Sequence, residues 1–103
     1  MPDFRIDRQH KLGLIKARQV AQQWLSQLQG DFGLSSDYQE MGKSDIATFR
    51  GPLGVTGEVE VSGKTLSLIC HTGSLPSSMS KMVEEKVSRK IDTLLGSALR
   101  NPS

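Results

Sequence analysis

A single cysteine, Cys70, excludes an intrachain disulfide and argues against a cysteine-based zinc centre. Aromatic residues make up only 5% of the chain, so the stacking platforms of a single-strand reader are missing. A formal net charge of +2 adds no electrostatic case for nucleic acid. No apolar run approaches the roughly 20 residues that a membrane-spanning helix requires. The N-terminal MPDFRIDRQH has no apolar segment of the signal-peptide kind. The glycines form neither a GxGxxG fingerprint nor a phosphate-binding loop with its lysine. His10 and His71, taken with Asp7, Asp37 or Asp45, match no metal-ligand spacing. The expectation is a soluble cytoplasmic protein with no cofactor, no metal, no nucleic-acid partner and no membrane span.

What is present is strand pattern between two helical patterns. In residues 46–71, Ala47 and Phe49 alternate with Thr48 and Arg50. Val55, Gly57, Val59 and Val61 alternate with Thr56, Glu58 and Glu60, and Leu66, Leu68 and Cys70 with Ser67 and Ile69. Period-two alternation broken by Gly51-Pro52, Gly54 and Ser62-Gly63-Lys64 reads as antiparallel strands joined by hairpins. Residues 37–41 form a weaker strand and residues 3–9 a short first one, with Phe4 and Ile6 in phase.

The period changes at Leu14. Leu14, Ala17, Ala21, Trp24 and Leu28, flanked by Val20 and Leu25, recur at the spacing of an amphipathic helix. Gly30 or Gly33 is placed to stop it. A second stripe runs through Met79, Val83, Val87, Ile91 and Leu94, widened by Met82 and Leu95. Pro76 suits its first turn and Gly96 its C-cap. One domain, residues 1–103, follows, with an ordered core over about 3–96 and a frayed tail at 97–103.

The order β-α-β-β-β-β-α predicts an α+β fold: an antiparallel sheet of four to five strands with two helices packed on one face. The first strand should close the sheet against residues 66–70, giving a cover like a reduced helix-grip fold. Gly57, inside a strand, marks a close approach, and the Trp24 indole is the expected neighbour. The uncovered face and edges suggest a homodimer.

Chemistry-bearing residues are few. Cys70 and His71 are adjacent on a strand and face opposite sides, so they form no nucleophile–base pair. In phase with Leu66 and Leu68, Cys70 reads as a small buried apolar residue. Glu58 and Glu60 read as solvated charges. No catalytic residues are indicated.

Several segments together carry a family likeness: Ile6-Asp7-Arg8-Gln9-His10-Lys11-Leu12-Gly13 with Ala17-Arg18, Ala21 and Phe32-Gly33, then Val55-Thr56-Gly57-Glu58 and Ile91-Asp92-Thr93-Leu94-Leu95. Over nearly its whole length the chain resembles the polyhydroxyalkanoic acid system family, small bacterial proteins encoded near genes for polyester storage granules. The resemblance implies a non-enzymatic accessory protein that binds a granule surface or a granule-associated protein. The alternative is a small-ligand protein holding an acyl or hydroxyacyl group between sheet and helices. Arg8, His10 and Arg18 are candidate partner-binding residues, with a structural role also open to them. In that role His10 would bond backbone, and Arg18 would reach a carboxylate or the carbonyls of the first strand's exit loop. Lys81, Lys86, Arg89 and Lys90 are the further candidates, because they offer charge outward from the second helix. Both helices should bury their apolar stripes on the sheet, which makes granule binding charge-led.

Overall fold

The computed structural model describes residues 3–100. The elements follow in the expected order: β1 (Phe4–Gln9), α1 (Leu14–Phe32), β2 (Ser35–Glu40), β3 (Ser44–Arg50), β4 (Thr56–Ser62), β5 (Thr65–His71) and α2 (Ser77–Arg100). A short 3-10 turn, Pro52–Gly54, links β3 to β4. The five strands make one antiparallel sheet in the order β1-β5-β4-β3-β2. β1 returns to pair with β5, Phe4 lying opposite Cys70 and Gln9 opposite Thr65.

Alternation decides the faces. Ala47 and Phe49, Val59 and Val61, and Leu66, Leu68 and Cys70 all point to the inner face and are buried. α1 meets that face with Ala17, Val20, Ala21, Trp24, Leu25 and Leu28, and Gly33 ends it in the left-handed conformation, φ 68°. α2 adds Val87, Ile91 and Leu95 to the same core cluster. Trp24, wholly buried, joins the two helices: its indole N–H donates to the Val87 carbonyl at 3.2 Å. Burying that ring stabilises by roughly 2–3 kcal/mol, and the hydrogen bond removes the cost of its polar edge.

Three expectations are corrected. The group pressed against Gly57 is the Phe49 ring and not Trp24. Phe49 lies directly opposite Gly57 in the β3–β4 ladder, and a Cβ at Gly57 would collide with that ring and with the Ile69 carbonyl. Gly96 does not cap α2, which continues through it to Arg100. The cost of a helical glycine, about 1 kcal/mol, is offset because the next turn places Ala98 against the core. Finally, Met79 and Met82 do not join the buried stripe: they are 47% and 61% exposed. At the N-terminal end of α2 a cavity, and not close packing, separates the helix from the sheet. Residues 101–103 of the expected frayed tail lie outside the described residues.

The outer face of the sheet is polar. On it Asp7 accepts from Arg5 at 2.8 Å and from the Ser67 hydroxyl at 2.7 Å.

Candidate functional site

Arg8, His10 and Arg18 lie close in sequence, yet each is committed to a different part of the fold. Arg8 leaves the end of β1 for α2, donating to Asp92 at 2.7 Å and to the Ser88 hydroxyl at 2.6 Å. His10 bonds backbone, as expected: its Nδ1 accepts from the Leu12 N–H at 3.2 Å, while its own N–H reaches the Lys64 carbonyl at 2.8 Å. These bonds fix the turn between β1 and α1.

Arg18 does find a carboxylate, but on β3 and not near the β1 exit. Its guanidinium grips Asp45 through Nε at 2.7 Å and a second nitrogen at 3.1 Å. Glu40 lies 3.3 Å from the same guanidinium. Tyr38 donates its hydroxyl to Asp45 at 2.5 Å. Asp45 is wholly buried, in phase with Ala47 and Phe49 on the inner face. The bond from Arg18 holds the Asp45 carboxyl below the ordinary carboxylate range, against burial, with Tyr38 assisting. Burial first, and then the bond to Asp45, pushes the Tyr38 phenol far above its usual value. A buried charge held by two donors is a clamp between α1, β2 and β3.

On α2, Lys81, Lys86 and Arg89 are exposed, as the sequence suggests. They share that surface with Glu84 and Glu85, so the face is charged but not uniformly basic. Lys90 turns toward α1 and pairs with Asp31 at 2.6 Å, which makes it a second clamp between the helices.

An apolar cavity of about 210 Å³ lies at one end of the sandwich; the small-ligand alternative required a space between sheet and helices, but sequence reading named neither its place nor its lining. That end collects three connections: α1 to β2, β3 to β4, and β5 to α2. Phe49 and Leu68 of the sheet line it, opposite Leu28 and Phe32 of α1. Val83 and Val87 close the α2 side. Leu53 and Met79 also border the cavity while remaining strongly exposed, at 56% and 47%, so they stand at its mouth. Met82 continues this apolar rim one turn along α2.

The mouth is held by backbone contacts. Leu53 has φ 62°, the only non-glycine among the described residues with a positive φ. A branched-chain residue in that region is strained by about 1–2 kcal/mol. The geometry persists because the Ser74 N–H donates to the Leu53 carbonyl at 2.8 Å. Gly73, φ 58°, lies under the Leu53 and Gly54 carbonyls, where a Cβ would have no room. Asp3 adds a tie, accepting from the Thr72 N–H at 2.7 Å. One signal pointed here. Leu34, Leu53 and Leu75 occupy connecting segments, which are ordinarily polar.

Cys70 lines the same cavity and is buried. Burial, with a smaller effect from the Asp3 charge, pushes its thiol up to about 11. Among the described residues no three His, Cys, Asp or Glu side chains are grouped to hold a metal ion. No helix among them is long and apolar enough to cross a membrane.

The family model for polyhydroxyalkanoic acid system proteins of the granule region matches residues 4–95. The chain belongs to that family, as the likeness around Arg8, His10 and Arg18 implied, and with it takes a general accessory role in the polyhydroxyalkanoate granule system. No curated protein and no solved structure matches the chain.

Proposed function

We propose that this protein docks on the surface of the polyester granule with the cavity end of its fold. The observation that carries the reading is the apolar rim. Five large apolar side chains are strongly exposed among the described residues; Leu53 and Met79 border the cavity, and Met82 lies one helical turn from Met79. Apolar surface gathered around a cavity mouth favours contact with an apolar phase, at about 25 cal/mol for each Å² removed from water. Met79 and Met82 adapt to an irregular polymer surface because the thioether chain is unbranched and flexible.

The charged flank of α2 assists. Lys86 lies one turn beyond Met82 and Arg89 one turn further, on the same side of the helix. From there they donate to the ester carbonyls of a hydroxyalkanoate polymer or to an acidic coat protein. Lys81 serves the same purpose on the neighbouring flank. Arg8, His10, Arg18 and Lys90 act from inside the fold: Arg8 and Arg18 tie α2 and α1 to strands, Lys90 ties α2 to α1, and His10 fixes the β1–α1 turn.

The test is co-sedimentation with protein-free polyhydroxyalkanoate particles. Met79→Ser with Met82→Ser should lower the bound fraction at least fivefold with an unchanged unfolding midpoint. Undiminished binding of the double variant would rule out this contact.

A further inference from the structure

We propose that the cavity behind Leu53 and Met79 receives one pendant aliphatic chain of the polyester. The inference rests on the docking reading and adds a specificity to it: the protein distinguishes polymers by side-chain length.

The chemistry of the walls selects the guest. Phe49, Leu68, Leu28, Phe32, Val83 and Val87 offer carbon to whatever enters. Water gains nothing in such a space, because it needs two to four polar partners to be stable there. A dry cavity also forfeits the dispersion contacts that its lining atoms would otherwise make. A hydrocarbon guest restores them and needs no hydrogen bond in return.

Volume limits the guest. About 150 Å³ is enough for a six-carbon ring in a comparable apolar cavity. The 210 Å³ here therefore holds a chain of about five to seven carbons and leaves a single methyl group loosely packed. The polymer named by the family is built from hydroxyalkanoic acids, whose substituents beyond the ester backbone are alkyl groups. Entry is from the rim. Leu53 and Met79 both border the cavity and face solvent, so a chain projecting from a surface under the rim enters directly.

The rim also decides between polymer and free acid as the source. A free acyl ligand is ordinarily fixed by a few polar groups converging on its head. Here the mouth is bordered by exposed apolar side chains, Leu53 and Met79, which suits a chain whose ester group stays behind in the polymer surface.

The experiment compares two polyesters, one with methyl and one with pentyl side chains, as particles of equal surface area. Wild-type protein should bind the pentyl polymer about tenfold more tightly, since each methylene taken from water contributes. Val83→Phe fills the cavity from α2 while leaving Leu53, Met79 and Met82 at the rim. It should bind both polymers alike, at the methyl-polymer level. Leu75→Phe fills it from the β5–α2 connection and serves if the first variant fails to fold. Methyl 3-hydroxyoctanoate in solution should raise the unfolding midpoint of wild type and not that of the filled variant. Equal wild-type binding to both polymers, with no midpoint shift, overturns the cavity proposal and leaves docking intact. A midpoint shift without binding to either polymer overturns the polymer as source, and the docking reading with it.

Discussion

The carbonyl of Leu53 accepts a hydrogen bond from the Ser74 N–H at 2.8 Å, and this contact holds a leucine in left-handed backbone geometry at the mouth of an apolar cavity. Strain kept at an exposed position is a candidate for function, because stability alone would favour glycine there. Leu53→Gly should therefore leave stability unchanged or raise it by up to about 1 kcal/mol, while weakening polyester binding. Denaturant unfolding paired with particle binding checks both halves. A loss of stability would show that the leucine is there for packing.

Gly73 is the other half of the same device. A side chain at Gly73 meets the Leu53 and Gly54 carbonyls. Gly73→Ala should destabilise by about 1–3 kcal/mol, because the left-handed φ and the collision act together. It should also loosen the mouth, seen as faster amide exchange at Ser74.

The Asp45 clamp gives a pH dependence with a definite sign. Its pKa is depressed in the folded protein, as are those of Asp3, through the Thr72 N–H, and Asp7, through Arg5. A depressed carboxylate contributes stability that is present above its unfolded pKa, about 3.9, and lost as pH falls through the folded value. Thermal midpoints should hold down to about pH 4 and fall below it. Tyr38→Phe removes one donor to a buried charge and should cost about 1–2 kcal/mol at pH 7. A flat midpoint from pH 5 to pH 2 would contradict the clamp.

Cys70 should be inert in the folded protein. Its thiol is buried and its pKa is pushed up to about 11, so the reactive thiolate is scarce at pH 7. A polar disulfide reagent should label it only at the rate of unfolding, with full stoichiometry in denaturant. Fast native labelling would mean that the cavity opens to water.

The sheet was legible because alternation survives in every inner strand. Ala47 and Phe49, Val59 and Val61, and Leu66 and Leu68 announce the covered face, and Cys70 follows in phase. The β1–β5 pairing was less legible, because the meander leaves two free edges, β2 and β5, and alternation alone does not choose between them. Asp45 was not legible. It stands one register step before Ala47, on the inner face, yet a lone acid at the start of a strand looks like solvated charge until Arg18 and Tyr38 are brought to it across 27 and 7 residues. The cavity was less legible still. It is made by residues from three connections and both helices, and no periodicity links Leu53 to Met79. Helical spacing placed Met79 and Met82 on or beside the buried stripe, but it carries no information on whether the core fills the space beside them.

On this reading apolar contact through Leu53, Met79 and Met82 holds the protein on the polyester, with the α2 charges secondary. The most direct measurement is co-sedimentation of wild-type protein with protein-free polyhydroxyalkanoate particles across a sodium chloride series. Exposed charge pairs are screened over roughly 8 Å at physiological ionic strength and roughly 3 Å at 1 M, whereas burial of apolar surface persists. The bound fraction should stay level, or fall by no more than about a third, up to about 1 M salt. Binding that disappears by about 0.5 M would contradict this reading and move the contact to Lys81, Lys86 and Arg89.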